Sequence, residues 1–116
     1  MKRDMNLIRL LLLLVEGEEP KPDLSGYTQE QQAYHMAKLI EANLVLGDVS
    51  RDNNGMAVGA VATELTWQGH EFLDAARNET IWKKVAGKVA KAGVEVGLPV
   101  LQQMLTDTLK EHLGMK

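Results

Sequence analysis

The sequence predicts a mainly α-helical domain that contains one β-hairpin. Five segments each begin at a residue suited to helix initiation and continue with apolar side chains at helical spacing. Asn54-Gly55 lies between two segments rich in small and β-branched residues, and this dipeptide is a strong signal for a hairpin turn. Residues 65–82 hold both tryptophans and the only phenylalanine, so we expect the core to form around them.

Composition limits the function classes. A chain of 116 residues is long enough for one domain with a single core. The 13 basic and 16 acidic residues give a net charge of −3, which argues against coating of nucleic acid by bulk charge but is compatible with a local basic face. The chain has no cysteine, which excludes disulfides, thiolate metal sites and cysteine nucleophiles.

The first predicted helix is capped by Asp4, runs to about Glu16 and stops at Gly17. Its apolar side chains form one stripe, and further leucines lie on the other faces. The stripe comprises Leu7, Ile8, Leu11, Leu14 and Val15, and the other faces hold Leu10, Leu12 and Leu13. A helix that is apolar nearly all round is buried on more than one side, either by later helices or by another subunit.

The same segment loosely imitates a signal peptide, because Lys2 and Arg3 precede the apolar run. Asp4 and Arg9 interrupt the pattern, and residues 16–20 offer no small-residue cleavage site. The run is also shorter than the ~20 apolar residues that span a bilayer. We therefore expect a cytoplasmic protein with no membrane partner.

The second predicted helix follows a connection over residues 18–26, where two prolines and a glycine forbid a continuous helix. Thr28 and Gln31 form a capping-box pattern at its start. Its inward face is predicted to hold Ala33, Met36, Ala37, Ile40 and Leu44, its opposite face Gln31, His35, Lys38 and Ala42, and its flank Tyr34. Asn43 is a common substitute for glycine at a left-handed helix end, so we expect the helix to stop there.

Residues 44–49 and 56–65 are the predicted strands of the hairpin. The second strand is poor in large side chains, and we expect it to form a flat, partly exposed ribbon. Thr66 is then a suitable N-cap for a third helix, because its hydroxyl can accept a free backbone N–H of the first turn. On this helix one face is shared by Gly69, Phe72, Leu73 and Ala76.

Two further helices are predicted. Asn78 caps the fourth, which runs to about Ala92 and ends at Gly93. Its apolar side holds Ile81, Trp82, Val85, Ala86 and Val89, and its basic side holds Lys83, Lys84, Lys88 and Lys91. Val94–Gly97 is the predicted link to the last helix, and Pro99 suits the first turn of that helix, where its missing N–H costs nothing. The stripe of the last helix comprises Leu101, Met104, Leu105, Leu109 and Leu113.

The predicted order narrows the fold further. A helix followed by an antiparallel hairpin, after at least one supporting helix, is the layout of a winged helix-turn-helix domain, with the helix at Thr28 in the position of the recognition helix. We therefore predict a winged-helix-like core over residues 1–78. Residues 79–116 form a C-terminal helical extension of the same domain.

Three motifs of the chain resemble a bacterial and phage family known only as domain of unknown function 2513. The motifs are Met1-Lys2-Arg3-Asp4-Met5-x-Leu7-Ile8-Arg9, then Tyr34-His35-x-x-x-Leu39-Ile40-Glu41-Ala42, and the long Leu65-Thr66-Trp67-x-Gly69-His70-Glu71-Phe72-Leu73-Asp74-Ala75-Ala76-Arg77. The resemblance covers most of the chain and implies a winged-helix-like fold, but no reaction, ligand or catalytic residue. Asn43 stands where relatives are expected to have glycine, and both residues tolerate the same backbone.

The sequence gives little support to the hypotheses of an enzyme or a metal-binding protein. His70-Glu71-x-x-Asp74 places an imidazole and a carboxylate one helical turn apart, a spacing that metal sites use, but no third ligand accompanies them. In the alternative reading Asp74 pairs with Arg77 or caps the next turn, and His70 forms a local hydrogen bond. The sequence shows no nucleophile–base pair or phosphate-binding glycine loop, so we expect no enzymatic activity, no cofactor and no metal.

Two functional hypotheses remain. The first is a DNA-binding accessory protein or transcriptional regulator; the predicted contacts to double-stranded DNA are Gln31, Tyr34, His35, Lys38, Arg51, Lys84 and Lys88. The lysines of the fourth helix are, in the alternative, the solvated face of an amphipathic helix. The second is a protein-docking module, whose partner is another protein or a second copy bound through Leu10, Leu12 and Leu13 with Leu101, Leu105 and Leu109. Fold analogy favours the first hypothesis, and the acidic balance favours the second.

Overall fold

A computed structural model describes residues 2–93 and 95–114. These residues form five helices and one antiparallel hairpin: α1 (Met5–Glu16), α2 (Gln29–Glu41), β1 (Val45–Arg51), β2 (Ala57–Leu65), α3 (Trp67–Ala76), α4 (Glu79–Ala92) and α5 (Leu98–His112). The prediction of a mainly helical fold with one hairpin is confirmed, and the order is compatible with a winged helix. Among the described helices, none has the length and hydropathy that crossing a membrane requires. Of the predicted link, Val94 lies outside the described residues, and residues 95–97 are not helical.

The chain divides into two compact units, one up to His70 and one from Glu71 onward. This boundary lies within α3, and the predicted boundary after Asn78 stays a prediction. The first unit contains α1, α2 and the hairpin, and the second contains α4 and α5. The grouping of the two parts into one domain stays a prediction.

Helix α1 is held at both ends as predicted. The Asp4 carboxylate accepts the N–H of Leu7 at 3.1 Å, and Gly17 ends the helix with a φ of 85°. Within the first unit α1 packs against both α2 and β2, so the same chain covers it on two sides. Its fully buried residues are Leu7, Ile8, Leu11 and Leu12. Leu12, which was predicted to lie outside the main apolar stripe, is therefore also part of the core.

The start and end of α2 also follow the sequence signals. Both halves of the capping box are present, with the N–H of Thr28 donating to the Gln31 side chain at 2.8 Å and the N–H of Gln31 donating to the Thr28 hydroxyl at 3.0 Å. Asn43 adopts a φ of 62°, the left-handed conformation predicted for it. The helix packs against both strands of the hairpin, and its inward side includes Met36, Ala37 and Leu39.

The hairpin pairs Val45 with Leu65 at one end and Arg51 with Ala57 at the other. Its turn is closed by the N–H of Asp52, which donates to the Met56 carbonyl at 2.9 Å, and Gly55 supplies the left-handed residue with a φ of 80°. The predicted hairpin is confirmed, although β1 runs two residues further than expected, to Arg51. In β2, Val58 and Val61 are 62 % and 71 % exposed, as expected of a partly exposed ribbon.

The junction between β2 and α3 explains the Leu65-Thr66-x-x-Gly69 motif. The Thr66 hydroxyl donates to the Asn43 carbonyl at 2.7 Å and accepts the N–H of Gly69 at 3.0 Å, which confirms the predicted cap. The N–H of Thr66 donates to the Leu44 carbonyl at 3.0 Å. A Cβ atom on Gly69 would collide with that same carbonyl, so glycine permits the close approach of α3 to the end of α2.

The aromatic stretch contributes less to the core than expected. Phe72 and Trp82 are buried, but Trp67 is 78 % exposed, so the prediction that both tryptophans lie in the core is wrong. At ~100° per residue, Trp67 lies on the side of α3 opposite Ala76. The buried face of α3 leaves no place for it.

In the second unit α4 packs against α5. The Asn78 side chain accepts the N–H of Ile81 at 3.1 Å, and Gly93 ends α4 with a φ of 67°, both as predicted. Pro99 lies in the first turn of α5. The buried residues of the two helices are Ile81, Trp82 and Val85 in α4 and Leu101, Leu105 and Thr108 in α5, whereas Ala86 is exposed.

Burial of the terminal leucines bears on the expected homodimer. Leu12, Leu101 and Leu105 are at most 1 % exposed, and Leu10, Leu13 and Leu109 are partly buried. The surplus apolar surface that motivated the dimer is therefore largely inside the fold. The homodimer itself stays a prediction, and sedimentation at micromolar concentration tests it.

Candidate interaction surfaces

His35 is a core residue. It is 1 % exposed, its Nε2 accepts the N–H of Asp4 at 2.7 Å, and its Nδ1 lies 2.7 Å from the Gln31 carbonyl oxygen. Because a backbone N–H can only donate, Nε2 is unprotonated and Nδ1 carries the hydrogen that the carbonyl accepts. The predicted position of His35 on the outer face is wrong, since periodicity treats a polar side chain as outward-facing and this one is satisfied internally. The imidazole ties the N-cap of α1 to α2 and has no access to a DNA groove.

Gln31 is also engaged within the fold. Its side-chain oxygen accepts the N–H of Thr28 in the capping box, and the residue is half-buried. That oxygen is one of the two groups a glutamine uses to read adenine. Gln31 thus stabilises the start of α2.

The structure brings Tyr34, Lys38 and Arg51 together at one cleft between α2 and the end of the hairpin. The cleft has a volume of about 200 Å³. It is lined by Glu30, Tyr34, Ala37, Lys38, Glu41, Arg51, Gly55, Met56 and Ala57, and we call it the α2–hairpin cleft. Met56, which the sequence analysis did not single out, is 49 % exposed and supplies its largest aliphatic side chain.

Both cations of this cleft converge on one carboxylate oxygen. Lys38 Nζ lies 3.3 Å from Glu41 Oε2, and an Arg51 guanidinium nitrogen lies 3.8 Å from the same atom. Arg51 also donates to the Gly55 carbonyl at 3.0 Å, and Lys38 Nζ lies 5.4 Å from the centre of the Tyr34 ring. These side chains are about half exposed, so the pairs add little stability. One carboxylate cannot cancel two cations, but Glu30 also lines the cleft, and the formal charges of its four charged side chains therefore cancel.

The surrounding surface is acidic. From α2 to the end of β2, residues 29–65 contain two basic side chains, Lys38 and Arg51. The same segment contains five acidic ones: Glu30, Glu41, Asp48, Asp52 and Glu64. Because phosphate neutralisation dominates non-specific DNA affinity, this balance is unfavourable for a recognition helix and wing.

Helix α4 presents a different surface, which belongs to the second unit. Lys83, Lys84, Lys88 and Lys91 are all exposed. Within residues 2–93 and 95–114, none of these four ammonium groups lies within 4.0 Å of a carboxylate oxygen. The predicted contacts Lys84 and Lys88 are therefore available to an external anion.

The His70-Glu71-x-x-Asp74 pattern forms no metal cage among the described residues, where no group of three potential ligands is close enough to hold an ion. His70 Nδ1 instead lies 3.5 Å from Glu16 Oε2 at the end of α1, a partner far away in sequence and not the local one proposed as the alternative. His70, Glu71 and Asp74 are all exposed.

Each of the three motifs that resemble the family contains a polar residue that forms a hydrogen bond within the fold. Asp4 and His35 lock α1 to α2, and Thr66 and Gly69 lock α3 to the end of α2. These contacts account for one polar residue in each motif: Asp4, His35 and Thr66.

A protein family and an individual protein are similar to this chain over most of its length. Residues 2–95 match the model of the family described as hypothetical protein (DUF2513). An uncharacterized protein of Haemophilus influenzae is 31 % identical over 120 aligned positions, which cover 98 % of this chain and all of that protein. No solved structure matches the chain. The extent of both sequence matches shows that the chain belongs to the DUF2513 family.

Proposed function

We propose that this protein is a protein-docking domain, and that the α2–hairpin cleft receives a partner segment that presents a basic side chain beside an apolar one. The observation that carries this proposal is the shared Glu41 carboxylate, which pairs with both Lys38 and Arg51. A surface with its cations neutralised and further carboxylates around it attracts a cationic ligand, not a phosphate backbone.

The charge pattern identifies the basic part of the partner. Glu30 lies in the first turn of α2 at the edge of the cleft and is exposed. Within the described residues it has no basic side chain within 4.0 Å. An arginine or lysine of the partner therefore finds an uncompensated carboxylate there.

The floor of the cleft identifies the apolar part. Tyr34, Ala37, Met56 and Ala57 line it, and half of Met56 is exposed to solvent. Covering such a surface with one large side chain contributes about 1.5–3 kcal/mol. Methionine is common at surfaces that accept varied partners, because its side chain adapts to their shape. The small size of the cleft fits a weak, transient contact.

A display selection tests this proposal. We expect a library of random peptides, selected on the immobilised full chain, to enrich sequences that combine arginine or lysine with a large apolar residue. Glu30→Lys should weaken binding of the enriched peptides at least about tenfold, the size of one lost charge-assisted contact. Met56→Ser should also weaken it, because it removes apolar contact area without adding a charge. Val100→Ser is the matched control, because Val100 is 52 % exposed on α5 and does not line the cleft.

Three other outcomes would count against this proposal. Enrichment of acidic peptides, or binding that Met56→Ser and Val100→Ser weaken equally, would contradict the docking cleft. Duplex DNA binding that depends on Lys38 and Arg51 would favour the DNA-binding regulator instead.

A further inference from the structure

We infer that the exposed lysines of α4 bind the phosphate backbone of a nucleic acid. The surface consists of Lys84, Lys88 and Lys91, which we call the lysine row. All three are exposed and, within the described part of the chain, none pairs with a carboxylate. Their charges therefore face solvent without compensation. This inference is independent of the docking cleft, which uses other residues in the first unit.

The spacing of the row suits a regular polyanion. Positions i, i+4 and i+7 lie on one side of a helix, and at 1.5 Å per residue Lys84 and Lys91 are ~10.5 Å apart along the axis. One strand of a duplex advances ~3.4 Å per phosphate, so the row spans the rise of about three phosphates. Lysine contacts phosphate as a point charge on a flexible stem, so an approximate match of spacing is sufficient.

The acidic residue of the same helix lies away from the row. Glu79 is exposed in the first turn of α4. At ~100° per residue it lies at least ~120° around the helix from each lysine of the row, but only ~40° from Lys83. Lys83 is therefore left out of the row, and the acidic side chain of α4 lies away from the three remaining lysines.

The side chains between the lysines argue against a membrane as the ligand. The exposed residues interleaved on α4 are Ala86, Gly87 and Ala90. A helix that binds a lipid surface buries large apolar side chains beside its lysines, and this face offers none. Small residues leave the lysine stems accessible to a backbone that lies across the helix, and no Cβ-sized group fills the space at Gly87.

Fluorescence anisotropy with a labelled random-sequence duplex tests the inference on the full chain. Three phosphate contacts give a slope of about −2.7 in log K against log salt, which is an approximately 40-fold loss of affinity between 50 and 200 mM salt. We expect the variant K84Q/K88Q/K91Q to lose this slope. The control K2Q/K21Q/K110Q removes the same charge from three other exposed lysines and should retain it. Circular dichroism of both variants establishes that they fold.

Parallel titrations distinguish the anions. A labelled single-stranded RNA should bind with a shallower slope of about −0.7 per contact, and its affinity relative to the duplex identifies which nucleic acid is preferred. The inference is overturned if the wild-type chain binds neither nucleic acid at low salt, or if the two triple variants lose equal affinity. Tighter binding to polyglutamate or to phosphatidylserine vesicles than to both nucleic acids would also overturn it.

Discussion

The two cationic regions of this protein differ in what surrounds each charge. In the α2–hairpin cleft, Lys38 and Arg51 share the carboxylate of Glu41, and the neighbouring surface is acidic. On α4, the lysine row has no carboxylate partner among the described residues. A basic residue in the position of a winged-helix contact is therefore not evidence of a basic surface. The contact that a charge already makes decides what it can bind.

This difference also shows that the order of elements and the contacts of the side chains can suggest different functions. The order of helices and hairpin is compatible with a winged helix, and that layout alone favoured α2 as the DNA-reading element. The side chains of α2 are instead engaged in capping, in the core and in ion pairs. Function is carried by sites, so the order of elements alone does not assign a role to α2.

The largest expected effect on stability is that of replacing His35, which is buried and hydrogen-bonded. Replacing Lys84, which is exposed, is the comparison. His35→Ala leaves the N–H of Asp4 without its acceptor and opens a space in the core. We expect a loss of about 2–4 kcal/mol in the free energy of unfolding. Lys84→Ala should change it by less than about 0.5 kcal/mol. Urea denaturation monitored by tryptophan fluorescence measures both.

His35→Gln is the control for the first prediction, because an amide keeps a hydrogen-bond acceptor near Asp4 and should recover part of the lost stability. A His35→Ala protein as stable as wild type would show that the imidazole does not join α1 to α2.

A second contrast uses the helical glycines, one in each unit. Gly69→Ala forces a methyl group against the Leu44 carbonyl, so we expect a loss of about 1–3 kcal/mol. Gly87→Ala meets open space on α4 and improves helix propensity, so we expect a gain of up to about 1 kcal/mol. Thermal denaturation of both variants checks the opposite signs. A destabilised Gly87→Ala protein would indicate that α4 has a close neighbour at this position.

These contrasts show which properties the sequence could predict. Caps and stops at Asp4, Thr28, Asn43, Asn78 and Gly93 act locally, through the backbone of a few adjacent residues, and the sequence predicted each of them. The positions of His35 and Trp67 were predicted wrongly, because both depend on residues far along the chain or on which side of a helix is covered. Helical periodicity reflects only which side chains are polar. It cannot show that a polar ring such as that of His35 forms two hydrogen bonds inside the fold.

The same limit applies to the candidate sites: features that depend on helical spacing were predictable, and contacts between distant segments were not. The sequence placed lysines on one side of α4, since that depends only on helical spacing. The sequence did not show that Lys38 and Arg51 meet the same oxygen of Glu41, or that Met56 lines the same cleft. Those facts require the hairpin to fold back beside α2, a non-local contact that no local pattern encodes.

Glu41→Gln is expected to have the smallest effect on stability. It is also the most direct test of the comparison between the α2–hairpin cleft and the lysine row. The ion pairs it removes are about half exposed and screened by solvent, so the free energy of unfolding should change by less than about 1 kcal/mol. The same change frees Lys38 and Arg51 to contact phosphate. Made in the K84Q/K88Q/K91Q background, where α4 no longer contributes, it should steepen the salt dependence of duplex binding by about 1.8, the value for two contacts.

Glu64→Gln removes the same charge from an exposed position on the hairpin that does not line the cleft, and it should leave the slope unchanged. If Glu41→Gln and Glu64→Gln alter duplex binding equally, total charge and not the shared carboxylate controls the surface. If only Glu41→Gln creates binding, one side chain separates a docking cleft from a DNA-binding wing, because the geometry of α2 and the hairpin is the same in both proteins.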